Sequence, residues 1–470
     1  MKKYDAIVVG SGPNGLAAAI TLAQNGRSVL LLEAKDTIGG GMRTLELTLP
    51  GYRHDICSAI HPLGVGSPFF SQLDLKKHGL EWIFPDVQLA HPLDGGSAAA
   101  MFVSIEETAE TLGVDAKAYR RLMTPIAKDW PKISHEFLGP LRIPKYPFAI
   151  AKFGLNALQS ASFLAKRRFS TELGRAYFGG IAAHSIMPLQ NPATAAIGMV
   201  LGVLGHVIGW PLPKGGSQSI ADALAAEFKL LGGEIETNHE VTSLKELPPA
   251  EMVFLDLGPK QLLKLAEGQL PSFYKRQLER FRYGPGVFKV DWALSEPIPW
   301  QNEFCRRAGT VHVGGTLEEM VLSEKEMWHG RHAERPYTLV TQQSLFDSTR
   351  APDDNHTGWA YCHVPAGSTR DMTEIIENQI ERFAPGFKET ILAKSVKNTA
   401  DFYAYNQNYF GGDINGGVQD LTQLFTRPTP RLNPYSTPLK GVYLCSSSTP
   451  PGGGVHGMAG YFAVKFALKI

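Results

Sequence analysis

The sequence predicts an α/β fold: a Rossmann-like nucleotide-binding domain that is discontinuous along the chain, with an α+β substrate domain inserted into it. Three observations carry this expectation. Ala6 to Val9 is a short apolar run suited to a buried parallel strand, and it ends in glycines spaced Gly10-x-Gly12-x-x-Gly15. An Ala- and Leu-rich stretch closing at Gly26 reads as a helix, and Val29 to Leu32 reads as a second buried strand with Glu33 at its tip. The strand–helix rhythm then stops and returns twice, which divides the chain into a nucleotide domain at 1–66, 211–284 and 435–470 and a substrate or cap domain at 67–210 and 285–434.

Each part of the opening stretch has a physical task. Gly10 makes the tight turn, Gly12 lets backbone approach a pyrophosphate, and Gly15 lets helix and strand pack closely. The loop residues Ser11, Pro13 and Asn14 lead into a helix start whose free N–H groups and positive dipole end attract phosphate. Glu33 stands 18 residues after Gly15, where a carboxylate accepts hydrogen bonds from a ribose diol. A glycine triplet alone is weak; one between strand and helix, with an acid at the next strand's tip, indicates an adenine dinucleotide.

Composition narrows the class. At 470 residues two domains are expected, and 43% hydrophobic with 19% charged residues suits a soluble globular enzyme. A net charge of +1 gives no global attraction for nucleic acid, so none is expected as a partner. No apolar run reaches the ~20 residues of a membrane span, and the first strand begins too early for a signal peptide. The four cysteines, Cys57, Cys305, Cys362 and Cys445, form no C-x-x-C pair. They suggest a reducing, cytoplasmic setting and neither a redox dithiol nor a zinc site.

After Glu33 and Ala34 comes a second glycine cluster, Gly39-Gly40-Gly41-Met42-Arg43. A nicotinamide dehydrogenase usually enters another helix here; a glycine-rich loop instead suits a longer dinucleotide lying extended. Arg43 offers a cation to the pyrophosphate or to a neighbouring carboxylate. Taken with Gly10-x-Gly12-x-x-Gly15 and Glu33, this resembles the phytoene desaturase and amine oxidase superfamily of FAD enzymes. Leu49 to Ser58, Asp74 to Gly79, Phe288 to Leu294, Trp359 to Pro365 and the C-terminal glycine run resemble its phytoene-dehydrogenase-like group, which includes animal proteins named for a pyridine nucleotide-disulfide oxidoreductase domain. The likeness spans most of the chain.

The resemblance implies FAD as cofactor. It implies cofactor contacts from Gly10 to Gly15, from Glu33 and Ala34, and from Gly40, Gly41, Met42 and Arg43. It places Ser58, Ala59 and His61 near the flavin ring, and His61 is the candidate proton carrier. It further implies an adenine contact through the backbone of Val241, taken as part of a strand beginning at Gly232, and contacts from Ser447, Gly453, Gly454 and Val455. The helix from Met458 is expected to aim its dipole at the flavin. Ser446 to Ser448 stand where relatives often carry an acid.

Elsewhere, Ser67 to Trp210 reads as mainly helical. Lys145 to Arg168, apolar with basic ends, fits a cap helix over the substrate cavity or a segment lying on a membrane surface. Strands are expected at Val287 to Leu294, Tyr337 to Gln343 and Thr357 to Val364, and a surface helix at Glu374 to Phe383. His329 and His332 have no third ligand, so no metal is expected.

The function expected is an FAD-dependent oxidoreductase of dehydrogenase or desaturase type. It takes a hydride from a C–H bond of an apolar or amphipathic small molecule, carotenoid-like by resemblance, with oxygen or a quinone as acceptor. The rival readings are a flavin-dependent isomerase or saturase, and a non-catalytic lipid or prenyl-protein binder on the same framework. Peripheral membrane contact belongs with the lipid-facing readings.

Overall fold

The structure is a computed structural model and describes residues 3–470. Its first sheet has five parallel strands in the order Val442–Leu444, Ala250–Leu255, Tyr4–Val9, Val29–Leu32 and Glu234–Glu236. The central strand pairs Ala6 with both Val29 and Met252, so widely separated segments build one sheet. Parallel strands need cover on both faces, which is why residues 6–9 and Val29–Leu32 are apolar without alternation. Helices Pro13–Gln24, Gln218–Leu230 and Met458–Leu468 cover one face, and Pro259–Leu265 and Ser272–Glu279 cover the other. The C-terminal helix lies directly on the dinucleotide helix: a Cβ on Gly460 would stand 1.9 Å from the Asn14 carbonyl oxygen.

The second sheet has seven strands, in the order Ile391–Lys397, Gly286–Leu294, His356–Val364, Thr338–Thr341, Ala308–Val313, Val87–Pro92 and Ala98–Met101. All neighbours are antiparallel except Ala308–Val313 with Val87–Pro92. Helix Thr373–Glu381 packs Ile376 and Ile380 under one face. A helical layer that includes Ala116–Phe137, Glu172–Ala182 and Thr194–Val207 covers the other.

Three sequence expectations change. The segment from Ser67 to Trp210 contains the hairpin Val87–Met101 as well as helices, because those strands are completed by Ala308–Val313, more than 200 residues away. Lys145 to Arg168 is two helices, Pro147–Ala157 and Ala161–Arg168; Ser160 starts the second by accepting a hydrogen bond from the Phe163 N–H. The strand expected up to Val241 stops at Glu236, and Val241 lies in the irregular segment beyond it. Among the described residues no helix is long and apolar enough to cross a membrane.

Candidate functional site

A cavity of about 490 Å³ runs from the glycine loop of the first sheet to the helical layer of the second domain. At its nucleotide end the packing tolerates only glycine. Gly10 has φ +98°, and a Cβ on Gly15 would lie 2.0 Å from the Gly10 carbonyl oxygen. Gly40, at φ +56°, approaches so closely that a Cβ would stand 2.9 Å from the Gly12 Cα. The two glycine clusters of the sequence therefore touch, and each permits the other.

Glu33 ties them. One carboxylate oxygen accepts the Ser11 N–H at 3.0 Å; the other accepts the Lys35 N–H at 3.0 Å and pairs with Arg43 Nη2 at 3.1 Å. Arg43 also donates from Nε to the Thr37 carbonyl at 3.0 Å and lies 5.4 Å from the centre of the Tyr405 ring. Of the two roles expected for Arg43, the carboxylate partner is the one this geometry gives it. Tyr405 donates to the Gly40 carbonyl, and a Cβ on Gly41 would meet the Tyr409 hydroxyl, so the 405–409 segment closes over the glycine loop.

Gly10, Ser11, Gly12, Pro13, Asn14, Glu33, Ala34, Gly40, Gly41, Arg43, Ser58, His61, Val241, Ser447, Gly453, Gly454 and Val455 all line the cavity. Gly15 and Met42 do not. Gly15 is spent on the strand–helix contact, and Met42 is packed in the core of the first domain. The Gly15 N–H donates to Asp256 Oδ2 at 3.0 Å, so a buried carboxyl sits at the start of the dinucleotide helix. Burial raises the Asp256 pKa to about 7; the Gly15 N–H opposes this and the Glu33 charge adds to it. In the sequence Asp256 marks only a strand end; its carboxyl stands one strand over from Ser446, whose hydroxyl donates to the Leu257 carbonyl at 2.8 Å.

His61 is 2% exposed. Ser217 Oγ donates to the Ser58 carbonyl at 2.6 Å and so accepts from His61 Nε2 at 2.8 Å. Burial lowers the His61 pKa to about 4, with Asp55 and Arg350 acting in opposite directions. A neutral, donating His61 is a latch between the loop and Ser217, which does not suit proton shuttling near neutral pH. At the C-terminal side Gly453 to Val455 face the cavity, while the first helical N–H, that of Met458, is taken by His456 Nδ1 at 3.1 Å. The loop, rather than the helix start, is presented there.

The far end is largely apolar: Ile197, Val200 and Leu201 from helix Thr194–Val207 face Leu339 and Trp359 from the large sheet. Trp359 is pinned by its Nε1 donating to the Asp55 carbonyl at 2.8 Å. None of these five is among the site residues expected from the sequence, because nothing local marks which face of a strand meets a distant cavity.

A family model described as an NAD(P)-binding Rossmann-like domain matches residues 8–73. The rat protein "Pyridine nucleotide-disulfide oxidoreductase domain-containing protein 2" is 25% identical, over 99% of this chain and 94% of its own. A limonene dehydrogenase subunit from Castellaniella defragrans is 22% identical, over 99% and 94%. The neurosporene-forming phytoene desaturase of Rhodobacter capsulatus is 24% identical, over 97% and 92%. Among solved structures, an oxidoreductase from Methanosarcina mazei superposes with a TM-score of 0.67 at 17% identity, covering all of both chains. Putrescine oxidase with putrescine bound gives 0.62 at 17%, again over all of both chains.

Proposed function

We propose that the chain is an FAD-dependent oxidoreductase of the phytoene desaturase and amine oxidase superfamily, as its relatives of 22–25% identity suggest, and that it removes a hydride from a C–H bond of an apolar or amphipathic small molecule. The observation that carries this reading is the continuity of one cavity, polar and glycine-walled at the dinucleotide motif and apolar at the second domain.

The residues present fit FAD. The collision distances at Gly15 and Gly40 keep the loop backbone bare, and Asn14 Oδ1, buried at the cavity wall with no hydrogen-bond partner among the described residues, is an acceptor suited to a hydroxyl of the cofactor rather than to its phosphates. Gly12 to Asn14 would hold the pyrophosphate, Glu33 the adenosine ribose and Val241 the adenine. Ser58 and Gly453 to Val455 would flank the flavin end. When bound, the flavin supplies a two-electron acceptor for the substrate's hydride. The chain's own work is binding, orientation and exclusion of water: Trp359 and Leu339 wall the reacting end, and His61 fixes the loop beside it.

Two of the relatives are named for limonene and phytoene, and a carotenoid-like or smaller isoprenoid substrate is the class proposed. The surface next to the cavity's helical wall supports delivery from a membrane. Residues 139–168 hold six Lys or Arg and no Asp or Glu, and Ile143 and Phe148 stand 95% and 91% exposed there. Helix Pro147–Ala157 packs on Thr194–Val207, which itself lines the cavity.

The test is spectral. Purified protein should carry, or take up, a yellow flavin that an added substrate bleaches without oxygen. A colourless protein that cannot be loaded with FAD would overturn the reading.

A further inference from the structure

At the apolar end of the cavity the large sheet presents two buried hydroxyls that bond nothing. Thr310 and Thr341 are directly opposed in register on neighbouring antiparallel strands, each is 1% exposed, and both line the cavity. Their Oγ1 atoms have no hydrogen-bond partner among the described residues. Valine has the same shape, suits a strand equally well and leaves no polar atom unsatisfied. Two buried hydroxyls, opposed in register and unpaired within the protein, are a loss that a bound polar group makes good.

A third group stands with them. By strand alternation His312 shares the face of Thr310, and its Nε2 lies 3.0 Å from Nε2 of His184, which lines the cavity. Between two neutral rings one nitrogen must donate and the other accept. His184 is further held edge-on to Trp210, at 5.7 Å between ring centres. The charged side chains that line the cavity are Lys35 and Arg43 among the cations and Glu33, Glu240 and Asp256 among the carboxylates, all at the nucleotide end. Lys289, beneath Trp359, is closed on Asp291.

Resting on the functional reading above, we propose that Thr310, Thr341 and His184 form a subsite for an uncharged oxygen, an alcohol or a carbonyl, on an otherwise apolar substrate. A carbonyl oxygen accepts from both threonines. A hydroxyl also has a hydrogen to give to a threonine oxygen or an imidazole nitrogen. The subsite offers no carboxylate to hold an ammonium group and no free cation to hold an acid.

The experiment measures binding, by quenching of tryptophan fluorescence (Trp210 and Trp359 line the cavity) and by perturbation of the flavin spectrum, with n-octane, 2-octanol, 2-octanone and 2-aminooctane as probes. The alcohol or the ketone should bind about tenfold more tightly than the alkane, and the charged amine should gain nothing over it. The arm that gains shows whether the subsite prefers a donor–acceptor or a pure acceptor. In Thr310→Val/Thr341→Val the advantage should fall to about onefold with alkane affinity kept, and Thr310→Ser/Thr341→Ser should restore it. Equal affinity for alkane, alcohol and ketone, an unchanged advantage in the valine variant, no binding of any probe, or preference for the amine would each overturn the proposal. Discrimination by a protein that cannot be loaded with FAD would keep the subsite and overturn the flavin reading. A flavin-loaded protein without discrimination would do the reverse.

Discussion

Two carboxylates govern the nucleotide end, and they act in opposite ways. Glu33 pairs with a buried Arg43 and accepts two backbone N–H groups. Glu33→Ala strands the guanidinium and, on the function proposed above, removes the ribose acceptor. We expect loss of FAD retention together with a destabilisation of about 3 kcal/mol, read by flavin content and by denaturant melts. Unchanged flavin occupancy would show that Glu33 does not hold the ribose. Asp256 is the reverse case. Its pKa in the fold is raised, so its contribution to stability is complete below the ordinary carboxylate range and is lost as pH rises toward about 7. Asp256→Asn, which keeps an acceptor for the Gly15 N–H, should therefore raise the melting temperature at pH 8 and change it little at pH 4. A larger gain at pH 4 would reverse the assignment. The neutral form also places no second negative charge beside a pyrophosphate, so the same variant should hold FAD at pH 8 at least as well as the native chain.

At the scale of elements, the dinucleotide helix is held from three sides. Gly15 sets its distance from the strand, Gly460 of the C-terminal helix meets the Asn14 carbonyl, and Gly40 brings the second loop against Gly12. Gly15→Ala places a methyl where only 2.0 Å is available, against backbone that cannot rotate away. It should cost about 1–3 kcal/mol in a melt and abolish flavin loading. Near-native flavin content in that variant would mean that the turn relaxes freely. These contacts explain why the opening unit is legible in the sequence. Its strand, turn, helix and second strand are contiguous, so local patterning and tertiary packing ask for the same residues. The hairpin Val87–Met101 shows the opposite situation: its partner strand Ala308–Val313 lies far along the chain, and nothing within the hairpin announces the pairing. Tyr405 and Tyr409 escape a sequence reading for the same reason, since they matter only once they fold onto Gly40 and Gly41.

On the scale of the whole molecule, two sheets share one cavity and an exposed segment flanks its helical wall. Arg142, Lys152 and Lys166 pair with Glu136, Asp129 and Glu318 from neighbouring segments, whereas Lys145, Arg167 and Arg168 have no carboxylate partner among the described residues. Ile143 and Phe148 are exposed beside them. Vesicles containing phosphatidylglycerol should sediment the protein, more weakly in high salt, and Ile143→Asp/Phe148→Asp should remain in the supernatant with its flavin intact. Equal binding to neutral vesicles, or no effect of the variant, would remove the membrane from the proposal.

Read by itself, the sequence determined the opening strand, its glycine turn, the helix after it and the second strand, because glycine geometry and the periodicity of buried strands are written within a few tens of residues. Only the tertiary structure decided that Asp256 sits at the helix start, that His61 is a latch, and that Thr310, Thr341 and His184 meet at one wall. Those residues come from strands and helices far apart in the chain, and a side chain's chemistry there depends on burial and on neighbours that exist only after the sheets have formed.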